Sequence, residues 1–207
     1  IMNRNLLFLG IFAALFLFAL GFGIQSVALA QVNQQNQQLR QTHGNVKWMT
    51  FEEAIAARDR EVKAGRKPKK IFIDIYTDWC GWCKKMDKET FEHPLIAPYL
   101  NKHFYPVKLN AEQREEIKFS GHTFKFVAQG ARGYHELAAS LLDGKMSYPT
   151  VIFLNEDVQL LQRIPGYLDV PTFDTILHYL AEEHYKTVPW ADFQRQYAQR
   201  KPGTNPK

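Results

Sequence analysis

The chain has 207 residues, 45% of them hydrophobic, with 26 basic against 21 acidic side chains and two cysteines. Its positive charge is mild and dispersed, and the longest basic cluster, Arg66 to Lys70, is broken by Pro68. This argues against the extended basic surface that nucleic-acid binding needs. With one close pair of cysteines the chain is not a scaffold stapled by several disulfides, and a bridge within that pair would close so small a ring that it removes little unfolded-chain entropy, which makes stability a poor reason for it.

In chain order, Arg4 is followed by an uncharged apolar run from Leu6 to Gly23, and Ala28-Leu29-Ala30 precedes a Gln-rich stretch. This is the pattern of a secretory signal peptide over residues 1–30, cut after Ala30. The apolar run is long enough to span a bilayer, so an uncleaved anchor is the alternative. Either form exports the remainder of the chain. Residues 31–45 are polar and aperiodic and read as a flexible leader. Thr50 with Glu53 predicts a capping box that opens a helix ending at Gly65. Lys69 to Thr77 is β-branched and aromatic and predicts an interior strand. Cys80 to Leu100 predicts a helix divided at Pro94, and FYPVKLN at 104–110 a second strand. Residues 111–133 show no clear period, and a short helix is expected from Tyr134 to Gly144. YPTVIFLNED and QLLQRIPGYLD predict a late hairpin, and helices are expected at about 171–185 and 189–198. The order predicts an α/β domain over residues 46–187, a sheet with helices on both faces, followed by a C-terminal helix and tail over 188–207.

The chemistry concentrates in YTDWCGWCKK, residues 76–85. Cys80 and Cys83 stand at a strand-to-helix boundary, where the first sulfur meets unpaired helix N–H groups that favour a thiolate. The second lies within reach to close a disulfide and release a mixed-disulfide partner. Cys80 is therefore the expected attacking thiol and Cys83 the resolving one. A zinc clamp needs two further ligands. His178 and His184 are six positions apart in an expected helix, a poor spacing for one ion. His43, His93, His103, His122 and His135 are scattered and read as surface or partly packed, so no metal is expected. Trp79 and Trp82 offer apolar surface for a protein or peptide partner, and Lys84 and Lys85 are positioned to support a thiolate if they turn toward it. Asp74 interrupts an apolar strand, where a carboxylate is costly unless solvated, paired or exchanging a proton. It is a candidate to take the Cys83 proton, or an edge residue facing water. Pro149 is either an ordinary strand-starting proline or a cis proline beside the sulfurs, leaving backbone open for a partner.

YTDWCGWCKKMDKETF and Tyr148-Pro149-Thr150 together resemble the thioredoxin superfamily over about residues 46–185, in particular exported bacterial thiol:disulfide interchange domains. The resemblance implies a thioredoxin-like fold with a mixed sheet of four or five strands. It places Asp74 buried beneath the cysteines and Pro149 in cis facing them, with Tyr148 and Thr150 lining the docking surface. It implies an exported thiol:disulfide oxidoreductase, in the bacterial periplasm, that reduces disulfide-containing proteins or peptides without a cofactor. A membrane thiol reductase would be its electron donor, and the membrane itself would be a partner only through an uncleaved N-terminal segment. A thiol oxidant or isomerase is the alternative within catalysis, and a non-catalytic binding or chaperone-like module the alternative outside it. The chain departs from the family in two places. Gly81-Trp82 replaces the Gly-Pro of thioredoxin, so the reduction potential does not carry over, and the segment before the proline strand expands to residues 111–147. That segment is expected either to form a flap that selects partners or to cover a sheet edge.

Overall fold

The computed structural model describes residues 45–130 and 132–199; the expected signal peptide, all of the leader but its last residue, and the tail lie outside them. Helix α1, Phe51–Lys63, opens on the expected capping box. Glu53 N–H donates to Thr50 Oγ1, and the Glu53 carboxylate accepts the Thr50 N–H at 2.8 Å. Gly65, at φ +68°, takes the left-handed conformation just beyond the helix end.

Strand β1, Lys70–Tyr76, is the centre of the sheet. The expected helix from Cys80 to Leu100 is three pieces: α2 (Gly81–Met86), a π-helical turn (Asp87–Phe91) and α3 (Ile96–His103). Pro94 lies in the gap before α3, where a residue lacking an N–H costs no helical bond. Buried Thr90 ties the π-helical turn to the far end of the chain by donating to the Leu168 carbonyl at 2.6 Å. Strand β2, Phe104–Asn110, runs parallel to β1, with Asp74 opposite Lys108.

The stretch without a clear period folds into two hairpins. One pairs β3 (Ile117–Phe119) with β4 (His122–Phe124), the other β5 (Phe126–Gln129) with β6 (Arg132–His135). The helix expected from Tyr134 starts later, as α4 (Glu136–Leu141), because Tyr134 and His135 complete β6 and the His135 ring caps the helix by accepting the Leu137 N–H. His135 is fully buried rather than superficial. Its Nε2 meets the Glu115 carbonyl and its backbone N–H the Ala111 carbonyl, so one residue pins the root of the second hairpin.

Strands β7 (Thr150–Leu154) and β8 (Leu160–Pro165) form the expected hairpin. The sheet order is β2-β1-β7-β8, four strands, with β1 and β2 parallel and the other pairs antiparallel. Helix α5, Val170–Ala181, ends before the expected boundary because Glu183, at φ +59°, turns the chain left-handed. A 3₁₀ turn, His184–Lys186, and helix α6, Trp190–Gln199, complete the described chain.

Side chains alternate across β1. Ile71, Ile73 and Ile75 enter one apolar cluster with α1 and α4, while Phe72 enters another with Met86, Phe91, Phe153 and α5. Helices therefore cover both faces of a mixed α/β sheet, the layout the resemblance implies. Asp74 falls on the Phe72 side, the side covered by the helix that carries Cys83. Among the described residues, no helix is long and apolar enough to cross a membrane.

Candidate functional site

The carboxyl end of β1 delivers the chain to the site. Thr77 accepts the Cys80 N–H at 3.1 Å and turns the backbone into α2, with Cys80 at the N-cap. Cys80 and Cys83 are joined as a disulfide, with an S–S distance of 2.04 Å. The Cys83 N–H also points at Cys80 Sγ, 3.1 Å away. A helix N–H aimed at a sulfur stabilises negative charge there once the bridge is opened. Cys80 and Cys83 are 5% and 2% exposed, whereas Trp79 and Trp82 are 52% and 58% exposed. Little sulfur surface thus lies between two projecting indoles.

Asp74 is fully buried, so the reading of an edge carboxylate facing water does not hold. Its Oδ2 accepts from Lys108 Nζ at 2.7 Å, while Oδ1 has no hydrogen-bond partner among the described residues. Burial pushes the carboxyl up to about 6, against the pull of the Lys108 ammonium. Burial works against that ammonium too, yet Asp74 and Asp87 hold it above the usual lysine range. Lys108 also contacts Asp87, four residues beyond Cys83, and lies 4.9 Å from the Trp48 ring centroid and 4.8 Å from that of Tyr76. A single lysine on β2 thereby connects the strand carboxylate to the cysteine helix. Reading for motifs misses Lys108. Its signal is a lone charge in FYPVKLN, the mirror image of Asp74 in its own apolar run.

Pro149 follows a cis peptide bond from Tyr148. The Tyr148 ring meets Trp79 edge-on, with centroids 5.9 Å apart, which brings the proline loop to the residue before Cys80. Burial, with the Glu112 charge, pushes the Tyr148 phenol up to about 12. The backbone N–H and C=O of Tyr148 make no hydrogen bond among the described residues. Thr150 is buried and its hydroxyl donates to the Ser147 carbonyl at 2.8 Å. Lys85 lies over the Trp82 ring at 5.0 Å and over Tyr167 at 5.5 Å, and pairs with Glu89 at 3.8 Å. Lys84 is exposed and makes no ion pair among the described residues.

The expanded segment also reaches the site. Trp79 Nε1 donates to Glu112 at 3.0 Å, and the Arg132 guanidinium lies 4.6 Å from the Trp79 ring centroid. Neither contact is legible in the local sequence.

The pattern of the family described as Thioredoxin-like domain matches residues 57–181, more than half of the chain. The chain belongs to the thioredoxin-like domain family. Among curated relatives, Thiol:disulfide interchange protein DsbD of Salmonella typhimurium is 25% identical over 118 residues, 56% of this chain and 17% of that protein. Spermatogenesis-associated protein 20 of Rattus norvegicus is 28% identical over 111 residues, 53% of this chain and 13% of that protein. The matched part thus spans less than a fifth of the length of these relatives. Among solved structures, a putative disulphide-isomerase from Bacteroides thetaiotaomicron is 26% identical, with a TM-score of 0.45, covering 69% of this chain and 97% of that one.

His178 and His184 both converge on Glu182, at 2.7 and 3.0 Å, because the helix between them ends early. Among the described residues, no group of three or more His, Cys, Asp or Glu is arranged to hold a metal ion.

Proposed function

We propose that the chain is an exported thiol:disulfide oxidoreductase that reduces disulfides in proteins or peptides. The observation that carries this reading is the Cys80–Cys83 bridge at the start of α2, with Cys80 Sγ receiving a backbone N–H. Similarity to a thiol:disulfide interchange protein supports exchange as the chemistry. In the reduced form, the Cys80 thiolate attacks one sulfur of the partner disulfide, forming a mixed disulfide and expelling the first partner thiolate. Asp74 takes the Cys83 proton, and the resulting thiolate attacks Cys80 Sγ and expels the second partner thiolate. Two electrons pass to the partner, which leaves as two thiolates that take their protons from Asp74 and from water, and the protein is left in the bridged form seen here. A membrane thiol reductase returns the two electrons.

Trp79, Trp82, Tyr148 and Thr150 surround the exchange, and the open backbone of Tyr148 offers an edge for an extended partner to pair with. Pro149 holds that edge beside Trp79. Lys84 and Lys85 add positive potential on the cysteine helix. The exported, periplasmic location rests on the N-terminal pattern, and the chain is membrane-attached only where that segment is retained.

Equilibrating the purified full chain with glutathione buffers and quantifying the bridged fraction tests the direction. A potential near that of thioredoxin, about −270 mV, supports a reductase. A value near about −120 mV makes the protein a thiol oxidant and overturns the reductase reading.

A further inference from the structure

Arg132 stands at the start of β6, 53 positions after Trp79, yet its guanidinium lies over that indole. Its side chain is exposed and makes no hydrogen bond or ion pair among the described residues. The cation on the other flank of the disulfide, Lys85, is already matched by Glu89. Glu112 accepts from Trp79 Nε1 at the indole edge and makes no ion pair with Arg132 among the described residues. Asp78 is likewise engaged, accepting from the Asn110 amide.

The arm that carries Arg132 is firmly built. A Cβ on Gly133 would come within 2.2 Å of Phe126 Cζ and 2.5 Å of the Val127 carbonyl, so the hairpin closes tightly only around a glycine. Arg114 lies over the Phe126 ring at 4.7 Å, and His135 fixes the hairpin root to Ala111 and Glu115. A guanidinium stacked on an aromatic face keeps its planar fork of N–H donors at the rim, pre-organised for a carboxylate. Stacking alone would satisfy the ring and leave those donors to water. Over Trp79, the residue before Cys80, they are placed to meet what flanks the reacting half-cystine of a docked partner.

We propose that Arg132 is a specificity residue, selecting disulfide partners that carry an acidic side chain next to the half-cystine attacked by Cys80. This selection rests on the exchange chemistry proposed for Cys80 and Cys83. The hairpin arm then acts as a selector, the first of the two roles expected for the expanded segment.

The test uses the full chain, reduced with dithiothreitol and desalted. The substrates are short peptides cyclised through two cysteines, with Glu, Gln or Lys placed in turn before and after each cysteine. The reaction consumes the protein dithiol and one peptide disulfide and yields the protein disulfide and the peptide dithiol, both resolved by mass. At one of these placements, the wild-type chain is expected to reduce the Glu peptide about tenfold faster than the Gln peptide, the range for a hydrogen bond to a charged group. Arg132→Ala is expected to level the two rates, Arg132→Lys to retain part of the preference, and Arg132→Glu to favour the Lys peptide. Added salt is expected to compress the wild-type preference. Equal rates for Glu and Gln at every placement, or an order unchanged in Arg132→Glu, overturn the proposal and leave the exchange reading intact. Failure of the wild-type chain to reduce any of the peptides overturns both.

Discussion

The two aromatic flanks of the disulfide are built in opposite ways. On the Trp82 side, Lys85 and Glu89 come from the same short stretch, and Tyr167 donates its hydroxyl to Glu89 at 3.0 Å while its ring meets Trp82 at 5.4 Å. Charge is balanced there within the cluster. On the Trp79 side, Glu112, Arg132 and Tyr148 arrive from three separate segments, and the cation has no carboxylate partner among the described residues. A locally closed cluster supplies apolar surface. A cluster assembled from distant segments, whose cation and carboxylate meet the same indole without pairing, supplies discrimination.

This contrast matters only if exchange runs on the sulfurs between the flanks, and the largest expected effects test that. Cys80→Ser is expected to abolish turnover, and Cys83→Ser to accumulate mixed disulfides isolable by non-reducing electrophoresis; turnover in either variant breaks the scheme. Next, Asp74→Asn is expected to slow resolution of the mixed disulfide about a hundredfold, read as a longer-lived intermediate in stopped-flow. The same variant has an opposite effect on stability. The folded carboxyl is raised above its unfolded value of 3.8 to about 6, so the native state holds the proton longer and loses stability as pH rises between those values. Asp74→Asn is therefore expected to stabilise the bridged protein by roughly 3 kcal/mol at pH 7 and to be neutral near pH 3, read from urea midpoints at the two pH values.

Smaller effects separate the flanks themselves. Trp79→Ala is expected to lower exchange about tenfold and to remove any preference for peptide charge, whereas Trp82→Ala lowers all peptides alike. Equal loss of preference in both variants would dissolve the distinction between the clusters. Gly133→Ala is expected to cost about 1–3 kcal/mol through the clash with Phe126 and the Val127 carbonyl, measured by denaturant unfolding. Last, Lys85→Gln is expected to change charge preference less than twofold, because its partner is within its own cluster and surface pairs contribute little.

The same division governs what could be read without coordinates. β1 and β2 were legible because buried strands are near-continuous apolar runs bounded by polar residues, and α1 because Thr50 and Glu53 carry the capping box in their identities. Asp74 was legible as an anomaly in such a run. Lys108 carries the same signal, but its meaning comes from the parallel register that sets it opposite Asp74, and register is not a local property. The hairpins between 111 and 135 were illegible because strands of three or four residues, half of them charged or polar, have no room to show a period. Arg132 is the extreme case: nothing near it in sequence names Trp79. The late start of α4 and the early end of α5 come from single residues, capping His135 and left-handed Glu183, whose effects depend on conformation.

The connection from Tyr76 to Phe104 is the crossover that makes β1 and β2 parallel, and both sulfurs ride on it. In the folding of the chain, the helix that presents them is expected to reach its place as β1 and β2 come into register. Oxidoreductase activity and global cooperativity are therefore expected to be lost in one transition on denaturation, with no partly folded, active species along the way. The protein would reach its partners either complete or inert.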